Sequence, residues 1–106
     1  MTKKERQINR IQQMEAILDE TQEAEKALEN ALNRFEALAR PVAKLSDYYS
    51  GLWREDFEAD EAGLLPASLK RGVLSEDALW DALTAYRGLV IRMADVIKNN
   101  LSKGPL

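Results

Sequence analysis

Between two long apolar patterns lies a run of acids. Glu55, Asp56, Glu58, Asp60 and Glu61 fall within seven positions, with Arg54 the only base nearby. Closely spaced carboxylates can hold a hard cation or do acid–base work. Asp56, Glu58 and Asp60 alternate as in a calcium loop. That loop needs glycine at its sixth position and a bidentate glutamate at its twelfth, and Glu61 and Ala67 stand there instead. An EF-hand is therefore rejected. A magnesium site remains open if Asp56 and Asp60 meet Asp77 and Asp81, which are four residues apart on one helical face. Helical pyrophosphohydrolases arrange carboxylates on facing helices in this way. No Glu-Glu-x-x-Glu cluster accompanies these four, so a divalent-metal-dependent phosphohydrolase-like enzyme is the alternative reading and not the leading one.

The chain contains neither histidine nor cysteine. This excludes a zinc site of the usual ligands, a cysteine nucleophile, a Ser-His-Asp triad and disulfides. The lack of cysteine is also compatible with a cytoplasmic location. We assign no catalytic residue, metal ligand or cofactor.

Two other uses of the same residues compete with metal binding. Lys70 and Arg71 follow the acids by about ten residues, and Asp56, Asp60 or Glu61 could hold them across a turn. Partly buried pairs of that kind fix geometry more than they add stability. Alternatively, Tyr48, Tyr49, Trp53, Phe57 and Trp80 offer large contact areas with an acidic rim, the composition of a protein-binding hot spot. The net charge of −3 argues against nucleic acid as the main ligand, and Lys3, Lys4, Arg6 and Arg10 read as a solvated helix end.

The elements that must position these residues are helices. From about residue 4 to 48, Met14, Ile17, Thr21, Ala24, Leu28, Ala31, Phe35, Leu38, Val42 and Leu45 recur at steps of three and four. This is a coiled-coil-type seam, widened by Ile11, Leu18 and Leu32. Pro41 removes the hydrogen bond to the Ala37 carbonyl, so a kink is expected there; two helices are the competing outcome. Ser75 is a good N-cap for a last helix over 75–101, with Glu76 and Asp77 in its first turn and a stripe of Leu79, Leu83, Tyr86, Val90, Met93 and Ile97. Gly104 and Pro105 are read as ending order. Trp80 and Ile91 fall off that stripe, on a flank with Arg87, and the expectation is that the middle segment folds over them.

The connection, residues 49–74, is read as a short helix over 52–62 with Gly63 at its end and Pro66 preventing continuation. A further helical turn is expected over 67–71, then Val73 and Leu74 as an apolar staple before Ser75. At Tyr48-Tyr49, Trp53, Asp56, Asp60-Glu61-Ala62-Gly63, Leu65-Pro66 and Leu69-Lys70-Arg71-Gly72-Val73-Leu74-Ser75-Glu76-Asp77-Ala78 the chain resembles a small bacterial family. That family is known only as a domain of unknown function, number 4298 in its series, and the resemblance covers about residues 8–97. It implies a bacterial, mostly helical protein and supplies no activity.

The expected architecture is one all-α domain over 1–106: a long kinked N-terminal helix and a C-terminal helix packed antiparallel, joined by a clamped loop and short-helix segment. No apolar stretch suits a bilayer, and the N-terminus opens an amphipathic pattern and not a secretory leader. A first helix of about 45 residues would be roughly 65 Å long, against roughly 39 Å for the last. One cannot cover the other, so seam near Ile8, Ile11, Met14 and Ile17 stays bare and favours a homodimer through the helix seams. The leading functional expectation is thus a cytoplasmic, non-catalytic, self-associating interaction or regulatory module, with an unidentified protein partner also open.

Overall fold

The computed structural model describes residues 1–103. Among these the chain is all-α, with a long helix at each end of the order: α1 (Lys3–Ala37), α2 (Ala39–Ser50), α3 (Trp53–Glu61), a 3₁₀ turn (Gly72–Leu74) and α4 (Glu76–Ser102). No helix among the described residues is long and apolar enough to cross a membrane. The first apolar pattern, expected over about residues 4–48, is interrupted once, at Leu38, three residues before Pro41.

 The physical cause is local. Pro41 has no N–H to offer the Ala37 carbonyl, and the Leu38 N–H instead closes a tighter bond on the Phe35 carbonyl at 3.1 Å. Leu38 itself keeps right-handed helical angles (φ −82°, ψ −11°). The expected kink is therefore a one-residue interruption, with Pro41 in the first turn of α2, where its missing donor costs little.

The chain divides into two compact units, Met1–Pro41 and the residues from Val42 onward. The first is essentially α1. Thr2 caps it: its backbone is extended (φ −73°, ψ 165°) and its hydroxyl accepts the Glu5 N–H at 3.1 Å. None of the residues of α1 is buried. Ile8, Ile11, Met14, Ile17, Leu18, Leu28 and Leu32 are 43–59% exposed. On the same seam the Thr21 hydroxyl donates to the Ile17 carbonyl at 2.7 Å, so this polar group is satisfied within its own helix.

The second unit holds the core. Trp53, Leu74 and Leu79 are buried, and Leu45, Tyr48, Tyr49, Phe57, Leu65 and Leu83 pack around them. Each element contributes through a recognisable local signal. Gly51 lies between α2 and α3, where a Cβ would come within 3.0 Å of the Asp47 carbonyl oxygen. Helix α3 ends in a Schellman motif at Gly63, whose φ of +73° suits glycine. There the Gly63 N–H bonds the Asp60 carbonyl and the Leu64 N–H bonds the Ala59 carbonyl, both at 3.0 Å. The helical turn expected over 67–71 does not form. Pro66 opens a turn closed by the Leu69 N–H at 3.2 Å, and the helical turn comes later, as the 3₁₀ segment. Ser75 then caps α4, its hydroxyl accepting the Ala78 N–H at 3.3 Å.

Candidate functional site

Three polar contacts tie the middle segment together, and each spans a stretch of chain that local structure alone would not close. The first joins α2 to α3. The Tyr48 hydroxyl donates to Asp56 Oδ2 at 2.6 Å, across the turn at Gly51. That bond, with lesser contributions from desolvation and the nearby carboxylate charge, pushes the Tyr48 phenol up to about 12. The second joins α3 to the 3₁₀ turn. The buried Trp53 indole N–H donates to the Val73 carbonyl at 2.9 Å, so a large apolar side chain is buried with its one polar atom satisfied.

The third organises the loop after α3. Arg71 Nε lies 2.6 Å from Asp60 Oδ1. The rest of the guanidinium donates to four carbonyls: Pro66 at 2.7 Å, Leu69 at 2.9 Å, Ala67 at 3.2 Å and Leu65 at 3.4 Å. Arginine suits this place because its planar fork carries five donors in fixed directions. A loop turning through Pro66 leaves its carbonyls without a helical or sheet partner, and Arg71 supplies the donors. Asp60 sits in the last turn of α3, near the negative end of the helix dipole, where a carboxylate is disfavoured unless a cation answers it.

The aromatics form a row beside this framework. Trp53 stacks on Phe57 with ring centroids 4.9 Å apart and planes 18° apart. Tyr49 meets Trp53 edge-on at 5.6 Å and 72°, and tilts against Trp80 at 6.3 Å and 53°. These are favoured arrangements for aromatic quadrupoles.

The sequence-derived candidates therefore fall into distinct places. Tyr48, Tyr49, Trp53, Asp56, Phe57, Asp60 and Arg71 are brought together in the middle segment. Lys70 is exposed and makes no ion pair among the described residues; its neighbour Arg71 takes Asp60. Glu61 is exposed at the end of α3. Among the described residues Glu58 pairs with Arg54, at 3.8 Å on an exposed helix face, a contact of little energetic weight. The expected cover over Trp80 and Ile91 is a correction: they are 57% and 54% exposed. The segment closes instead on Leu74 and Leu79, because Trp53 is the aromatic drawn inward by its bond to Val73. Among the described residues no three carboxylates gather in a way that could hold a metal ion, and Asp56 and Asp60 are already engaged by Tyr48 and Arg71.

Sequence reasoning did not anticipate the backbone partners: the Val73 carbonyl, and the four carbonyls around Arg71. Only the Pro66 turn hinted at them, since such a turn needs outside donors. The pairing of Tyr48 with Asp56 was likewise unanticipated, although Gly51, between them in the chain, marks the reversal that brings them together.

The fold and this framework define a class of all-α protein with a polar-tied connecting segment ahead of its last helix. The chain belongs to the family described as Domain of unknown function (DUF4298), whose model matches residues 11–96. The residues that carry the resemblance noted in the sequence include those that make the three contacts. No curated protein matches the chain, and no solved structure does.

Proposed function

We propose that the chain is a non-catalytic protein-interaction module that self-associates through its helix seams and acts in the cytoplasm. The observation that carries this reading is α1: a helix of 35 residues with an apolar seam, interrupted at Thr21, and no buried residue. Exposed apolar surface of that kind marks an association site. The carboxylates that looked most chemical, Asp56 and Asp60, are occupied in holding the middle segment, which supports an architectural use for them. Trp80, exposed beside Tyr49, is a second surface at which another protein could be engaged, since large aromatics anchor interfaces.

Sedimentation equilibrium or light scattering over a wide concentration range tests the self-association. A mass approaching twice the 12.0 kDa of the chain is expected. A mass that stays at one chain at the highest concentration refutes it. The alternative, a magnesium-dependent phosphohydrolase-like enzyme using Asp56, Asp60, Asp77 and Asp81, is checked by melting in magnesium, manganese and calcium. A site filled at a hundred times its dissociation constant adds about 2.7 kcal/mol; we expect no shift.

A further inference from the structure

The charges on α1 are segregated along its length. Residues 3–10 carry Lys3, Lys4, Arg6 and Arg10 against Glu5 alone, a net of +3. Residues 15–25 carry Glu15, Asp19, Glu20, Glu23 and Glu25 with no base, a net of −5. The spacing offers little relief within the helix, where the first opposite charges at helical spacing are Glu23 and Lys26, at the far edge of the acidic block. Between Lys3 and Glu25 no opposite charges stand three or four residues apart, whereas Arg6–Arg10, Glu15–Asp19 and Asp19–Glu23 place like charges at i,i+4, which is unfavourable. Neither block makes an ion pair among the described residues, where the pairs are Arg54–Glu58 and Arg71–Asp60. Both blocks flank the same bare apolar stretch, Ile8, Ile11, Met14, Ile17 and Leu18, each about half exposed.

From this arrangement we infer that the occupant of the α1 seam is α1 of a second copy, running antiparallel and centred near Met14. The inference rests on the self-association proposed above and specifies its surface and direction. Antiparallel pairing about Met14 sets the basic block of each copy beside the acidic block of the other, twice over, and lays Ile11 of one copy near Ile17 and Leu18 of the other. Parallel pairing in register sets base beside base and acid beside acid. The overlap from Lys3 to Glu25 is about three heptads, roughly 35 Å, enough for a sustained seam. Apolar contact supplies the attraction, and the charge blocks select direction and register, as flanking charges do in paired helices.

The chain has no cysteine, so engineered thiols report the geometry without background. Three full-length variants are made: Met14→Cys, Lys4→Cys and Glu25→Cys. Under mild oxidation Met14→Cys should cross-link to its twin. Lys4→Cys and Glu25→Cys should each stay uncross-linked alone and form a mixed disulfide dimer when combined. Disulfide dimers of Lys4→Cys alone or Glu25→Cys alone would show a parallel pair and overturn the inference. A chain dimeric by sedimentation that cross-links at none of these positions would overturn it while leaving self-association standing, and a chain monomeric by sedimentation would overturn both. A charge-swap pair gives an independent check. Lys3→Glu/Lys4→Glu/Arg6→Glu and Glu20→Lys/Glu23→Lys/Glu25→Lys should each associate at least tenfold more weakly than the wild type, and should recover when mixed. Failure to recover in the mixture, with both variants helical by circular dichroism, would refute charge-directed pairing.

Discussion

Replacing Arg71 with alanine removes the group that holds the loop after α3, and the loss can be worked from the contacts. The pair with Asp60 is short, and the two side chains are 33% and 20% exposed. A charge-assisted bond discounted for that exposure is worth about 1–2 kcal/mol. Of the four carbonyl bonds, those to Pro66 and Leu69 are well formed and those to Ala67 and Leu65 are long. The carbonyls lie near solvent and can take water instead, so together they contribute about 1 kcal/mol. Arg71→Ala should therefore destabilise the second unit by about 2–3 kcal/mol. Arg71→Lys should lose roughly half of that, because an ammonium can reach Asp60 or the carbonyls but does not span both as the planar fork does. Lys70→Ala should change stability by less than about 0.5 kcal/mol, as an exposed substitution does. Urea denaturation followed by tryptophan fluorescence measures all three, since Trp53 and Trp80 both lie in the second unit. A double-mutant cycle with Asp60→Asn separates the two parts: coupling of about 1–2 kcal/mol is expected. An Arg71→Ala effect below about 0.5 kcal/mol, or a lysine variant as stable as the wild type, would refute the role given to the guanidinium.

Trp53→Ala should cost about 3–5 kcal/mol, since it empties the centre of the small core and removes the donor to Val73; retention of a cooperative melt near the wild-type temperature would contradict that placement. Gly63→Ala should cost about 1 kcal/mol from the positive φ alone, because no atom lies within 4 Å of the added methyl, and a neutral or stabilising result in urea would argue against the Schellman turn. Tyr48 should titrate late, above the ordinary range of a tyrosine. An unfolded tyrosine ionises near 10.0 and this one near 12, so the protonated phenol's contribution is whole below pH 10 and is lost as pH rises toward 12. Phenolate absorbance should show this late titration disappearing in Tyr48→Phe, and an unchanged profile in that variant would refute the bond to Asp56.

The parts of this protein that sequence determined are those set by neighbours along the chain. Seams at three-four spacing, the caps at Ser75 and Gly63, the interruption before Pro41 and the short helix beginning near Trp53 all follow from backbone hydrogen bonding and side-chain periodicity within a few residues. The acids and bases of the middle segment were legible as partners for one another, but not in their pairing. Lys70 and Arg71 are adjacent bases of equal charge; only the folded loop presents carbonyls in the directions that a guanidinium matches and an ammonium does not. Leu79 and Trp80 are likewise adjacent, and turning about 100° around the helix separates the most buried position of α4 from an exposed tryptophan. Hydrophobicity alone would favour burying the larger ring. Tertiary structure decided otherwise, because Trp53 already fills the small core with its indole N–H satisfied by Val73, leaving Trp80 more than half exposed and tilted against Tyr49.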